Sequence, residues 1–348
     1  MKIKKLIAVV AALIISAGIL AACSGNTRGD DKTINVMLVD GAPFLSITKM
    51  MSEDFAVKNG YDINYTVTND SDALIAALLN KEPDFAIAPI NVAAMMHNNG
   101  SGYRLAAVTT WGIMQIVSNQ NITTLEELKG ETIVAFGRAG TPGITLRAVL
   151  EQNGIDYAEP LGTSFSVNPN KVYIIYLTAA SDVRNAIVEG TLDGMAVKFG
   201  LLAEPVATAV GGATASVPHG QFTVKINLQT EWAKNNDGQI YPQAGLIFHE
   251  RLLTSDADFV NKFIAMVELS SLYANTNPVT AGNLAVELGS IAIPNGTIVG
   301  NAFNAGRLPI TFTRAPEAKA RVHAYLTVIH ADSPNLVGRN LPADSFYF

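Results

Sequence analysis

Residues 131–154 read ETIVAFGRAGTPGITLRAVLEQNG, and the order of residue types in this stretch decides the fold. Thr132–Phe136 is apolar and partly β-branched, which predicts a short buried strand. Gly137–Gly140 supplies a turn. Thr141 then stands where an N-cap belongs and Pro142 where the first helical residue belongs; proline's fixed φ suits that position and its missing N–H costs nothing there. Gly154 suits the residue just past the helix end. Strand, glycine turn and helix start in succession leave backbone N–H groups and the positive end of a helix dipole facing the space beyond the strand. This predicts one wall of a ligand cleft, carrying Gly140, Thr141 and Pro142.

Moving outward, strand and helix patterns alternate from Ile34 onward. Ile34–Val39, Asp62–Val67, Asp84–Ala88 and Leu105–Thr109 read as strands, and Pro43–Lys58, Ser71–Lys81 and Asn91–Asn99 as helices. Such alternation predicts a doubly wound α/β layer with a largely parallel sheet. The pattern then recurs. Ser71-Asp72 opens SDALIAALLNKEPDFAIAP and Ser181-Asp182 opens SDVRNAIVEGTLDGMAVKF. Each follows an apolar strand, and each helix leads to an Asp (Asp84, Asp193) that starts another. Two topologically similar lobes follow. Beyond Gly212 the signal thins to strands at Phe222–Leu228 and Ala244–Phe248 and a long helix at Asp256–Asn275. Pro294, Pro309, Pro316 and Pro334 break the tail into helical pieces with no further alternation. These pieces are expected to pack back on the first lobe.

Pro43, Pro89, Pro142 and Pro205 each follow a strand closely and open a helix. Ligands of open α/β sheets bind beyond the carboxyl ends of the strands, so two facing lobes would set four helix starts around one gap. The groups this places there are Pro43 and Phe44, Asn91, Trp111, Gly140, Thr141, Pro142 and Glu204. Asn91 can cap its helix or offer its amide to a ligand. Trp111, just before Gly112, can line the gap or the hinge. Glu204 can offset a helix dipole or accept a hydrogen bond from a ligand amine or ring N–H. Arg138 can meet an anion or lie on the surface.

The amino terminus and the composition bound the function. Residues 1–22 carry Lys2, Lys4 and Lys5 ahead of an uncharged apolar run, Leu6–Leu20, as a secretory signal does. Ser24–Lys32 is polar and reads as a tether. Cys23 is the chain's one cysteine, which excludes an intramolecular disulfide and a cysteine-based zinc site. The net charge is −6, and no Lys/Arg cluster interleaved with aromatics follows residue 22, which argues against nucleic acid. No G-x-S-x-G elbow or phosphate-binding loop occurs. His249-Glu250 begins an H-E-x-x-H, but Leu253 stands at the second ligand position. No metal, cofactor or catalytic residue is expected.

Ile122–Gly130 (ITTLEELKG), Thr132–Phe136, the glycine turn with ITLRAVLEQNGID, Asp84–Pro89 with Asn91, and Leu202–Pro205 together resemble the solute-binding lipoproteins of ABC importers. The resemblance is to the branch for nitrate, sulfonate, taurine and bicarbonate, which includes binders of thiamine-pyrimidine precursors. It implies a two-lobe, type II periplasmic-binding-protein fold, with the tail a helical extension packed on the first lobe. The expected divisions are a signal peptide (1–22), a lipidated tether (23–33), a first lobe (34–113 plus 249–348) and a second lobe (114–248). Gly112–Asn119 and Ala244–Phe248 are the expected hinge strands. Leu20-Ala21-Ala22-Cys23 resembles a lipobox, implying cleavage before Cys23 and its acylation; an uncleaved membrane anchor and a free thiol are the alternatives. The partners implied are a small solute, a permease with its ATPase, and a membrane through the lipid on Cys23, for a monomeric, extracytoplasmic, non-enzymatic chain. An enzyme of similar fold is opposed by the leader and by the absent His and Cys chemistry. A lipoprotein sensor or partner-binding module without transport is the alternative.

Overall fold

Two six-stranded sheets account for the alternation seen in the sequence. The structure, a computed structural model, describes residues 33–53, 55, 60–138 and 140–348. The leader, the tether and Cys23 lie outside the described residues. The first sheet takes β1 (Thr33–Val39), β2 (Asp62–Thr68), β3 (Phe85–Pro89) and β4 (Tyr103–Trp111). Between them lie a 3-10 turn at Ala42–Ser46, α1 (Thr48–Ser52), α2 (Ser71–Leu79) and α3 (Ile90–Asn98). The second sheet takes β5 (Met114–Ser118), β6 (Thr132–Phe136), β7 (Tyr157–Ala158), β8 (Val172–Leu177), β11 (Phe199–Ala203) and β12 (Thr223–Asn227). Its helices are α4 (Thr141–Gln152), α5 (Ala180–Glu189) and α6 (Val206–Ala213), with a small hairpin of β9 (Thr191–Leu192) and β10 (Met195–Ala196). The chain returns through α7 (Leu228–Lys234) to β13 (Pro242–His249). The tail follows as α8 (Arg251–Thr276), α9 (Pro278–Glu287), α10 (Gly296–Asn304), β14 (Thr313–Arg314) and α11 (Ala315–Asp332).

The strand orders are β14-β4-β13-β3-β1-β2 and β12-β5-β11-β6-β8-β7. Both sheets are mixed, not largely parallel. β5 is antiparallel to β11 and β12, and β13 is antiparallel to β3 and β4. The reason is topological. Local strands of each lobe run toward the junction, whereas β5 and β13 have just crossed it and must run away from it. β14 does the same, antiparallel to β4. The tail therefore enters the first sheet from the junction, and a strand returns where only helices were expected.

This geometry moves the crossings. The first is only Gly112 and Ile113, since Met114 already pairs with Ala203 in the second sheet. The second is Leu228–Tyr241, with α7 inside it. Ala244–Phe248, expected as a hinge strand, is instead the middle of the first sheet and is buried along its whole length. That full burial explains its unbroken apolar run. One continuous apolar cluster runs through both lobes, from Leu38 and Phe85 to Ile133 and Leu146. A second, smaller one lies between the second sheet and α5–α6, around Val117, Val183 and Leu202.

Candidate functional site

The two crossings are pinned to each other. Gly112 N–H donates to the Tyr241 carbonyl at 2.9 Å, and the Tyr241 hydroxyl accepts from Met114 N–H at 3.2 Å. A Cβ on Gly112 would lie 2.6 Å from the Tyr241 ring and 2.8 Å from Gln229 Cβ, so glycine is required for this approach. The Tyr241 ring stacks on Tyr325 of α11 at 5.5 Å, and Trp232 meets both edge-on. Tyr241 and Tyr325 are fully enclosed, and burial pushes both phenols far up, so they act as neutral groups.

At the strand ends the structure joins Asn91 to Thr141 and commits most of the sequence-chosen residues to partners of their own chain. Asn91, the second residue of α3, accepts a hydrogen bond from Thr141 Oγ1 at 3.1 Å, a direct bond between the lobes. Its amide nitrogen faces the Leu336 carbonyl at 3.4 Å, so it caps nothing. Thr141 is not the cap of α4 either. Gly140 holds that position, with Thr141 and Pro142 in the first turn. The N–H groups of Gly140 and Gly143 both donate to the Gly137 carbonyl, which uses donors the glycine turn was expected to leave free. Pro43 and Phe44 lie in the 3-10 turn after β1, and Phe44 is wholly within the apolar core. Trp111 closes β4. Its indole N–H donates to the Thr311 carbonyl at 3.0 Å, and the Arg321 guanidinium lies 3.7 Å from its ring centre. Arg138 is at the surface, paired with Glu159.

Glu204 shows most clearly what the tail does. Its side chain is 0% exposed, and one carboxylate oxygen accepts from Arg307 Nε at 2.6 Å. The other accepts from Thr208 N–H at 3.2 Å, while Arg307 Nη2 donates to Thr208 Oγ1 at 2.8 Å. Next to it, the Gly306 carbonyl accepts from Gln229, and the Pro309 carbonyl accepts from Trp111 N–H. A second tail segment seals the turn after β1. Ile291 and Ala292 N–H and the Ser290 hydroxyl all donate to the Asp40 carboxylate. Further along α11, Tyr325 bonds Thr145 of α4 at 2.9 Å, and Asp332 pairs with Arg147 of α4 at 2.8 Å. The tail packs on the first lobe as expected, and it also ties that lobe to the second.

Around the crossings lies a belt of buried polar atoms with no hydrogen-bond partner: Thr109 Oγ1, Thr110 Oγ1, both amide atoms of Gln115, Gln229 Oε1 and Gln243 Oε1. Register joins them. Thr110 pairs with Ala244 beside the bulge at Gln243. Gln115 pairs with Asn227, whose side chain accepts from Gln229 N–H. These atoms have no partner within the chain; a buried polar group left with no partner at all costs about 1–3 kcal/mol. Among the described residues no group of three or more His, Cys, Asp or Glu side chains could hold a metal ion. Sequence reasoning missed Arg307, Arg321, Tyr325, Gln115 and Gln243. The glutamines carried a usable signal, as polar residues inside otherwise apolar strand runs. The tail residues carried none, because no local pattern says which lobe a broken helical tail will touch.

The geometry has close counterparts among solved structures. An ABC transporter protein from Parabacteroides distasonis superposes with a TM-score of 0.71 at 20% identity, covering 91% of this chain and 99% of that one. The periplasmic aliphatic sulphonate binding protein SsuA from Escherichia coli gives 0.66 at 15% identity, covering 91% and 92%. The alkanesulfonate-binding protein SsuA from Xanthomonas axonopodis pv. citri, bound to MOPS, gives 0.61 at 14% identity, covering 92% and 97%. At these identities the likeness establishes the fold, that of the type II periplasmic-binding proteins. No curated protein matches the chain. The family model described as "NMT1/THI5 like" matches residues 51–281, well over half of the sequence, and the chain therefore belongs to the NMT1/THI5-like family.

Proposed function

We propose that this chain is the extracytoplasmic solute-binding lipoprotein of an ABC importer. It captures a small organic or anionic solute between its lobes and hands it to a permease driven by an ATPase. The observation that carries the reading is the junction itself. Two lobes meet through a side-chain bond, Asn91 to Thr141, at the strand ends where open α/β sheets bind ligands. A solute touching both lobes stabilises their closed arrangement, and no bond in the solute need break. The leader and Cys23 support lipid anchoring outside the cytoplasm, and the sulfonate-binding neighbours support an import role. Among the described residues no helix is long and apolar enough to cross a membrane.

Two measurements test it. In cells making the full chain, Cys23→Ser should move the protein from the membrane fraction to the soluble fraction; unchanged partition refutes the anchor. A saturating solute, at about 100 times its Kd, should stabilise the protein by about 2.7 kcal/mol in thermal unfolding. If sulfonates, nitrate, bicarbonate, aminopyrimidines and flavins all leave the transition unmoved, import gives way to a partner-binding role.

A further inference from the structure

We propose that the tail is a latch: residues 306–311 and α11 hold the two lobes together in the solute-free protein, so that closure does not wait for a solute. The proposal rests on the solute-binding reading above for its consequence, while its test needs no solute.

The latch is fastened to the first lobe at both of its ends. Ahead of α11, Trp111 N–H donates to the Pro309 carbonyl, the Trp111 indole N–H donates to the Thr311 carbonyl, and β14 pairs with β4. Beyond α11, the Asn98 amide donates to the Val337 and Asn340 carbonyls, and Arg104 donates to the Ser345 carbonyl. The tail therefore moves with the first lobe, and whatever it grips in the second lobe is tied to the first.

It grips the second lobe at three places. Arg307 binds Glu204, just past β11, and Thr208 of α6. Tyr325 meets Thr145 of α4. Asp332 takes Arg147 of α4 through both carboxylate oxygens, at 3.3 and 2.8 Å. Tyr325 and Asp332 stand seven residues apart, about two helical turns, so one face of α11 carries both. Once one of these ties is made the others are intramolecular, which makes the set harder to break than any member alone. Two of the three include an ion pair, whereas the body of the first lobe gives Asn91 to Thr141 through a neutral bond. The same ties are present whether or not a solute lies between the lobes. They therefore slow its entry and release, because the lobes part only when the ties let go.

The test is the distance between nitroxide labels, read by pulsed electron paramagnetic resonance on the full chain carrying Cys23→Ser. One label is placed by Asp72→Cys at the start of α2 and the other by Arg184→Cys in α5, both exposed positions. These helices follow β2 and β8, strands far from the crossings in their sheets, where parting of the lobes shows most. One narrow distance distribution is expected from the solute-free protein. Tyr325→Phe with Asp332→Asn, and separately Glu204→Gln with Arg307→Met, should each add a longer distance and raise its share about tenfold or more. Far-UV circular dichroism should stay native in both. Asp332→Asn alone, at a side chain 26% exposed, takes the place of the first pair should that pair unfold the protein. A long distance that dominates the native, solute-free chain overturns the proposal, since the tail then holds nothing closed. Variants that keep the native distance distribution overturn it as well. Failure of every solute to shift thermal unfolding refutes solute binding and leaves these distances as they are, so the two readings fail separately.

Discussion

Arg307→Ala removes the cation that, among the described residues, pairs with Glu204. In the native chain the carboxylate, at 0% side-chain exposure, has Arg307 Nε at 2.6 Å and Thr208 N–H at 3.2 Å. The variant keeps only the neutral N–H. A buried carboxylate deprived of its partner costs about 3–5 kcal/mol, because its desolvation is no longer offset. Surface screening does not reduce this figure, since water reaches neither carboxylate oxygen. Units of about 150–250 residues shift by about 2–4 °C per kcal/mol, which puts the change on the order of 10 °C. Urea unfolding followed by tryptophan emission is a suitable assay, because Trp111 and Trp232 both sit at the junction the pair holds. The cycle is completed by Glu204→Gln with Arg307→Met. Replacing both members should lose far less than removing Arg307 alone, because no lone charge is left inside. A loss below about 1 kcal/mol for Arg307→Ala, the scale of exposed pairs, would refute the reasoning. So would a double variant as damaged as the single one.

Two further changes probe the frame. Gly112→Ala should cost about 1–3 kcal/mol in urea unfolding, since its Cβ would stand 2.6 Å from a Tyr241 ring enclosed by Trp232 and Tyr325; a loss under about 0.5 kcal/mol would mean the crossing has slack. His249 has its pKa lowered, first by burial and then by Arg251, and its Nδ1 accepts from Arg251 N–H, a bond that a proton there would break. The folded pKa lies below the unfolded value of about 6.5, so this contribution is complete above that pH and is lost as pH falls toward the folded value. Stability measured from pH 7.5 to 5 should decline through this window and decline less in His249→Gln; identical slopes would exclude the histidine as the cause.

Local chemistry made the fold legible where neighbours in sequence are neighbours in space. The Thr132–Gly154 unit forms the strand, turn and helix read from it, with a shift of one residue at the cap because the glycine turn closes on Gly137. The paired Ser-Asp helix starts do lie in separate sheets, α2 beside the first and α5 beside the second. Long-range choices were not legible. An apolar run such as Ala244–Phe248 reads the same whether it bridges two lobes or lies within a sheet, and only pairing with β3 and β4 decides. The chosen site residues illustrate the same limit. Asn91 and Thr141 were each assigned to a helix start, but nothing local shows that the two starts touch. Glu204 reads in the sequence either as offsetting a helix dipole or as accepting from a ligand, because its partner, Arg307, lies 103 positions away.

The position of β13 between β3 and β4 also sets an order of events as the chain folds. β3 and β4 have no hydrogen bonds to each other; each pairs with a strand that begins at Pro242. Until that segment is in place, two apolar strands from the first 111 residues face the solvent with unpaired edges, the condition under which chains associate wrongly. The second sheet, from Met114 to Asn227, needs nothing from later residues for its strand pairing. The middle of the sequence can therefore pair its strands while the amino-terminal part still waits for a strand from beyond it.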